Sequence, residues 1–161
     1  MSERIRAPKS SVRLDHIRGM ITGAVPLPPV AVLIGFRIVE ADLGRAAFEL
    51  EASRKHANPM GTLHGGIVCD LADAAIGCAF ASTLEADETF TTLDLTTKFL
   101  KPIWSARLTA VARVIKRTRS IGLLECEITD ESGSLVAKVF STCTVLRGPD
   151  AQGRAIGDAA L

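Results

Sequence analysis

Aromatic side chains are scarce in this chain, which has no tyrosine, one tryptophan and six phenylalanines among 161 residues. The composition therefore neither indicates nor excludes a pocket for an aromatic ligand. An excess of charge of one sign is also lacking, since 19 Lys plus Arg stand against 18 Asp plus Glu, a formal net charge of +1. This balance provides no general attraction to nucleic acid or to an anionic membrane. Any anionic ligand must therefore meet a local basic cluster.

Paired cysteines and cofactor motifs are lacking too. None of the four cysteines belongs to a CxxC pair, and none has a histidine at metal-ligand spacing. Each lies in an apolar segment, so we expect buried free thiols. No Walker loop and no dinucleotide-binding glycine pattern is present. We predict an enzyme or binding module that uses no metal and no cofactor.

No segment looks like a signal peptide or a membrane span. The N-terminal residues contain no apolar run, which argues against a secretory signal. The longest apolar helix candidate contains Asp70 and Asp73, and two carboxylates make it a poor membrane span. We therefore expect a cytoplasmic, soluble protein.

The length and an apolar fraction of 47% indicate a single domain with a sizeable core. Apolar spacing predicts a helix over residues 12–21 and a long helix over 65–84. Alternation and turn residues predict six strands. These strands cover residues 30–42, 45–53, 90–100, 108–116, 121–129 and 135–146. The expected organisation is an extension over 1–24, loose over 1–11, then a domain over 25–146 and a tail over 147–161.

The long helix is apolar nearly all round, which is typical of a buried helix. The expected fold is therefore α+β, an antiparallel sheet of about six strands wrapped around one long central helix, with a short N-terminal helix. One sheet cannot cover every face of that helix. We expect a second copy of the chain to close the open side, which predicts at least a homodimer.

Asp73 is the unusual residue of this helix. Its neighbours are small, which leaves space beside the carboxylate, and burial would make it a better base. A structural ion pair is the alternative. Asp70 is a rival, since it lies roughly 60° away around the helix. The pattern alone does not decide between the two carboxylates.

A glycine-rich segment leads into the helix and is here named the glycine loop (residues 58–66). Gly65 and Gly66 leave backbone N–H groups open at the helix N-terminus, where they suit an oxyanion or a polarised carbonyl. The two glycines could equally serve only a tight turn. His64 could orient the loop or contact a substrate.

A second cluster, here named the basic turn (residues 116–120), connects two predicted strands. Its polar side chains are three cations and two hydroxyls, from Lys116, Arg117, Thr118, Arg119 and Ser120. It is the best candidate in the chain for binding phosphates. Composition alone also allows an ordinary solvated turn.

Five short blocks in a fixed order carry a resemblance to a known family. The blocks are Asn58-Pro59-x-Gly61-x-Leu63-His64-Gly65-Gly66, Leu71-Ala72-Asp73-Ala74-Ala75, Thr92-x-Asp94-Leu95, Phe99-Leu100-Lys101-Pro102 and Asp130-x-x-Gly133-x-x-Val136-Ala137. With them the chain resembles the hotdog-fold thioesterases of the phenylacetic-acid-degradation type, over about residues 30–146. The resemblance implies the hotdog fold and hydrolysis of acyl-CoA to the free acid and CoA, and leaves open whether the acyl group is an aryl group.

The resemblance also implies roles for single residues. The family's catalytic acid occupies the place of Asp73, as general base or nucleophile. The Gly65 N–H and Asn58 would polarise the thioester carbonyl, with His64 at the helix mouth. A hydroxyl at Thr92 would help to hold the attacking water. In the family the carboxylate and the carbonyl-binding loop come from different subunits of a dimer, and dimers assemble into a homotetramer.

The implied CoA contacts involve a further set of residues. They are Gly66, Phe99, Lys116, Arg117, Arg119 and Ser120. Two other functions remain open on the same fold. One is a non-catalytic acyl-CoA-binding or regulatory module, which would not need Asp73, Asn58 and Thr92 together. The other is a hydratase or dehydratase, which the glycine loop fits poorly.

Overall fold

A computed structural model describes residues 12–154 of the chain. Within this range there are three α-helices, six β-strands and two short 3-10 turns. The expectations for residues 1–11 and for the last residues of the tail concern residues outside it. The elements are α1 (Val12–Thr22), α2 (Pro29–Ile34), β1 (Phe36–Asp42), β2 (Arg45–Ala52), α3 (Gly65–Ala81), β3 (Glu88–Phe99), β4 (Ala106–Arg117), β5 (Ile121–Asp130) and β6 (Leu135–Arg147).

The strands of residues 12–154 form one antiparallel sheet in the order β1-β2-β4-β5-β6-β3. Helix α3 packs against all six strands. The predicted α+β hotdog architecture, with its central helix and short N-terminal helix, is confirmed. Strand β3 is an edge strand, because β6 is its only neighbour among the described residues. No helix in this part of the chain is long and apolar enough to cross a membrane.

Helix α3 is buried on one side only. Its sheet-facing residues are Val68, Leu71, Ala72, Ala75, Ile76, Ala79 and Phe80, which are at most 3% exposed. Asp70 lies on the open side and Asp73 at its edge beside β3, and both are exposed. A twisted sheet covers one side of a helix, so the other side of α3 is open in the single chain. The second copy expected to close that side stays a prediction.

A helical turn replaces the first part of the strand predicted over 30–42. Pro29 occupies the first turn of α2, and its fixed φ favours a helix start. Gly35 ends α2 in the left-handed region, with φ of 94°. The branched residues between them suggested a strand, but the proline and the glycine decide the local conformation. Strand β1 begins directly after Gly35.

Helix α3 ends three residues earlier than predicted. The Ser82 hydroxyl donates to the Ala79 carbonyl at 2.7 Å and the Thr83 hydroxyl donates to the Phe80 carbonyl at 2.7 Å. These side chains take over carbonyl groups that a longer helix would have used.

The tail also contributes contacts, since the Thr89 hydroxyl donates to the Arg154 carbonyl at 2.9 Å. The domain boundaries stay a prediction.

Candidate active site

Helix α3 begins on a side-chain cap. The Gly66 N–H donates to His64 Nδ1 at 2.9 Å, so His64 satisfies one of the free N–H groups of the first turn. A β-carbon on Gly66 would lie 2.9 Å from that nitrogen, which explains the glycine. The Gly65 N–H has no acceptor within residues 12–154. With the helix dipole, it is a donor available to a negatively charged oxygen.

Asn58 closes the glycine loop. Its Oδ1 accepts from the Met60 N–H at 2.9 Å, and its Nδ2 donates to the Thr62 hydroxyl at 2.9 Å. The Asn58 N–H also donates to the Thr62 carbonyl at 2.8 Å. Because an amide nitrogen carries two hydrogens, one donor of Asn58 remains for a ligand. The loop is thus fixed by its own side chains.

A cleft of about 390 Å³ lies beside the Gly65 N–H. Its polar lining consists of Asn58, Thr62, Lys101 and the Gly65 backbone, and the remaining lining is apolar, including Leu63, Val68, Phe99, Ile103 and Val136. The Phe99 ring lies directly over Gly65, since a β-carbon there would be 3.0 Å from the ring carbon Cζ. This contact was not predicted from the sequence. The glycine at position 65 leaves room for the Phe99 ring.

The carboxylate of Asp73 lies against strand β3. The Thr92 hydroxyl donates to Asp73 Oδ1 at 3.1 Å. Asp73 is exposed in the single chain, so the desolvation expected from the sequence is not present there. Asp70 is also exposed, and no hydrogen-bond partner is found for it within residues 12–154. Strand β3 thus distinguishes the two carboxylates, which the sequence pattern alone could not do.

A bulge in β3 sets the position of Thr92. The pairing of β3 with β6 shifts between Thr92 and Asp94. Asp94 Oδ1 accepts from the Thr142 N–H at 3.0 Å, and the Asp94 carbonyl accepts from the Ser141 hydroxyl at 2.8 Å. A bulge of this kind re-aims the neighbouring side chain. Asp94 thus lies beside Thr92 in the bulge, a position that its place in a motif had not predicted.

Four residues of α3, spaced four apart, run along β3. Each faces one strand residue, in the pairs Gly65 with Phe99, Cys69 with Thr97, Asp73 with Thr92 and Gly77 with Phe90. Gly65 and Asp73 are eight residues apart, or about 12 Å along the helix. Asp73 and Thr92 do not line the cleft. One chain therefore holds the two predicted halves of the site too far apart to meet on one thioester.

The buried thiols offer no nucleophile. Burial raises the pKa of Cys78 and of Cys126 to about 12. Burial also raises the pKa of Cys143, which lies next to Thr92. These groups stay protonated near neutral pH, and the thiolate is the reactive form. The free thiols expected from the sequence are present, two buried and two half-buried.

The basic turn lies at the Asp73 end of the sheet. Thr92 pairs with Cys143, Cys143 with Gly122, and Gly122 with Arg117. At about 4.8 Å per strand, this row places Arg117 roughly 14 Å from Thr92. Lys116, Arg119 and Ser120 are exposed.

Arg117 differs from the other cations of the turn. Its guanidinium forms an ion pair with Glu88 at 2.7 Å, and its side chain is only 15% exposed. Arg117 was predicted to be one of the CoA-binding cations. In the structure its guanidinium is instead paired with a carboxylate of the same chain. Lys116 and Arg119 are left as the exposed cations of the basic turn.

This fold and this arrangement of groups along α3 are those expected of a hotdog-fold thioester hydrolase. A family model described as Thioesterase superfamily matches residues 60–137. The E. coli PaaI protein of the phenylacetic acid degradation operon is 23% identical, with a TM-score of 0.74 over 84% of this chain and 96% of that chain, and shows the fold. A phenylacetic acid degradation-related protein of Ralstonia eutropha JMP134 is 29% identical, with a TM-score of 0.72 over 80% of this chain and 98% of that chain.

Curated relatives are named for thioester hydrolysis. The chain is 34% identical over 112 residues to a 1,4-dihydroxy-2-naphthoyl-CoA hydrolase of Listeria monocytogenes, covering 70% of this chain and 89% of the relative. It is 26% identical to human acyl-coenzyme A thioesterase 13, covering 66% of this chain and 77% of the relative. The chain belongs to the thioesterase superfamily, as a hotdog-fold thioesterase of the phenylacetic-acid-degradation type, and is a thioester hydrolase.

Proposed function

We propose that the protein hydrolyses acyl-CoA thioesters at sites shared between two subunits. One observation carries the proposal. Helix α3 has a free backbone donor at Gly65 and a hydroxyl-bonded carboxylate at Asp73, about 12 Å apart along one helix axis. A two-fold partner with antiparallel α3 would bring each Asp73 to Gly65 of the partner subunit. Each dimer would then have two complete sites.

Asp73 is the proposed general base. It takes a proton from a water molecule, and Thr92 helps to hold that water. The water oxygen forms a bond to the thioester carbonyl carbon, while Gly65 N–H and Asn58 Nδ2 stabilise the charge on the carbonyl oxygen. The C–S bond then breaks, and the CoA sulfur leaves with the proton that Asp73 carried. Direct attack by the carboxylate is the alternative, and incorporation of ¹⁸O from labelled water into Asp73 during single turnover would identify it.

Exposed apolar surface supports a partner at this place. Phe99 and Leu100 line the cleft, Met60 and Trp104 are close to lining residues in the sequence, and all four are 55–82% exposed. Clustered exposed apolar side chains mark interaction surfaces. The twelve-residue edge strand β3 also leaves its outer backbone groups unpaired among the described residues. We propose a homodimer that assembles into a homotetramer, and sedimentation showing a stable monomer at micromolar concentration would contradict both.

The CoA phosphates are proposed to bind at the basic turn. Lys116 and Arg119 are exposed there, and the chain offers no general positive field to replace them. The turn lies at the Asp73 end of the sheet, the side on which the leaving sulfur would depart. The acyl group would then enter the largely apolar cleft beside Gly65 of the partner subunit.

The direct test is a panel of CoA thioesters. Purified protein is mixed with short, medium, long and aryl acyl-CoA, and release of free thiol is followed. The names of the relatives support both aryl and other acyl groups, and the panel decides which class this protein prefers. Turnover of at least one class is expected. Tight binding without thiol release would instead favour a non-catalytic acyl-CoA-binding module.

A further inference from the structure

Glu88, the first residue of β3, is a buried carboxylate that the proposed mechanism does not use. It is 5% exposed. Its Oε2 accepts from the Glu85 N–H at 3.0 Å and from Arg117 Nη2 at 2.7 Å, and its Oε1 accepts from Arg147 Nη2. Burial alone would raise the pKa of Glu88, but these hydrogen bonds and the charge of Arg117 lower it. The carboxylate is therefore ionised and fully paired.

The two arginines connect Glu88 to the backbone of the basic turn. Arg117 belongs to the turn, and its guanidinium also donates to the Thr118 carbonyl. Arg147, at the end of β6, donates to the Arg119 carbonyl at 2.6 Å as well as to Glu88. One carboxylate thus joins β3, β4 and β6 and reaches two consecutive peptide groups of the turn. The ion pairs fix the conformation of this turn as well as joining the strands.

Two packed phenylalanine rings connect the cluster around Glu88 to helix α3. The Arg117 guanidinium lies 5.5 Å from the centroid of the Phe80 ring. Phe80 packs edge-on against Phe90 at 5.4 Å, and a β-carbon on Gly77, one turn beyond Asp73, would lie 3.5 Å from the Phe90 ring. Strand β5 approaches closely, because a β-carbon on Gly122 would lie 2.2 Å from the Phe80 ring. Such close packing leaves little freedom between the turn and α3.

The Arg37–Glu49 pair provides the contrast. It joins β1 and β2 at 2.7 Å, but its arginine side chain is 61% exposed. It contacts no turn, and it lies on strands at the opposite side of the sheet from β3. Exposed pairs of this kind contribute little to stability. The cluster around Glu88 is both more buried and attached to the backbone of a proposed binding segment.

We propose that Glu88 is a positioning residue, which holds Arg117 and Arg147 so that the basic turn presents its exposed cations to the CoA phosphates. This inference rests on the proposed function, because it needs the turn to contact CoA. Glu88 touches no substrate in this scheme. Its influence reaches the ligand through the Thr118 and Arg119 peptide groups. Changes at Glu88 should therefore alter binding of the nucleotide end and leave the chemical step intact.

The test compares two substrates with the same acyl group, an acyl-CoA and the corresponding pantetheine thioester, which lacks the nucleotide. Glu88→Gln should raise KM for the acyl-CoA about tenfold, the equivalent of one lost hydrogen bond to a charged group. KM for the pantetheine thioester and kcat for both substrates should stay unchanged. If Glu88→Gln fails to fold, Arg147→Met tests the same cluster, because it removes the bonds to Glu88 and Arg119.

Three further variants separate the possible outcomes. Glu49→Gln removes a paired carboxylate far from the turn, and Ile38→Ala lowers stability from β1; neither should change the ratio of the two KM values. Lys116→Ala with Arg119→Ala should raise KM for acyl-CoA alone. An unchanged ratio in that double variant overturns the role of the turn, and the role of Glu88 with it. If the double variant raises the ratio of the two KM values but folded Glu88→Gln or Arg147→Met leaves it unchanged, only the inference on Glu88 is overturned.

Discussion

Two places along α3, its N-terminus at Gly65 and its middle at Asp73, differ in the chemical group that each presents. At the N-terminal end the proposed functional group is a backbone N–H, left open by Gly65 and set by the His64 cap and the Asn58 loop bonds. Eight residues further on, the proposed functional group is the side chain of Asp73, held by Thr92 from a neighbouring strand. The position of the Gly65 N–H depends on residues close to it in sequence. The position of the Asp73 carboxylate depends on a contact between residues 19 positions apart.

This difference predicts opposite sensitivities. The Gly65 end should fail when atoms are added, since the Phe99 ring already lies against the backbone there. At Asp73, activity should be lost when the charge is removed or when β3 shifts.

Asp73→Asn should lower kcat by about a hundredfold or more, with KM little changed, because a general base is lost while size and hydrogen bonding are kept. Steady-state kinetics on the best acyl-CoA measures both values. The matched control is Asp70→Asn on the same exposed side of α3, which should cost less than about tenfold. Full activity in Asp73→Asn would end the assignment of Asp73.

Gly65→Val should lower kcat by about a hundredfold, the scale found for loss of one oxyanion donor. The added side chain collides with Phe99 and covers the N–H. Gly77→Ala is the control on the same helix face, since its β-carbon would meet Phe90 at an ordinary 3.5 Å.

Mixing the two inactive variants tests whether the site is shared. Dimers that combine Asp73→Asn and Gly65→Val subunits should regain one working site of two, because each chain supplies the half that the other lacks. Activity and subunit composition are measured on purified mixed dimers. Verified mixed dimers without activity would count against sites shared across an interface.

Asp94→Ala should lower kcat by about tenfold. It removes the acceptor for the Thr142 N–H that holds the β3 bulge, so Thr92 would no longer be held in place beside Asp73. Thr96→Ala, on an exposed position of the same strand, is the control and should leave kcat unchanged. Equal activity in both variants would mean that the bulge does not position Thr92.

The smallest expected effect concerns stability in acid. Because the folded pKa of Glu88 is lowered, its contribution to stability is complete above the ordinary glutamate pKa of about 4.3 and is lost as pH falls through the lowered value. Thermal unfolding of Glu88→Gln should therefore show a lower Tm than wild type at pH 7. The difference should shrink below about pH 4. A constant difference across this range would exclude the linkage to Glu88.

Periodicity and turn residues were sufficient for most of the fold. The long helix and the last four strands were predicted from the sequence at nearly the observed bounds. The glycine loop before that helix and the basic turn between two strands were also predicted at their observed places in the chain. The failure at α2 has a local cause, because Pro29 and Gly35 outweighed the strand preference of the residues between them. Charge type also indicated where phosphates could bind, but it did not distinguish Arg117 from the exposed cations.

The sequence by itself determined the elements and the chemical groups, because both are written in residue type and spacing over a few positions. Only the tertiary structure decided which groups meet. Asp73 was separated from Asp70 by Thr92, and Glu88 meets Arg147 from 59 positions away. The β3 bulge at Asp94 depends on how β6 pairs with it. Such contacts depend on strand order and register, which hydrophobic periodicity does not specify because many pairings bury the same faces equally well.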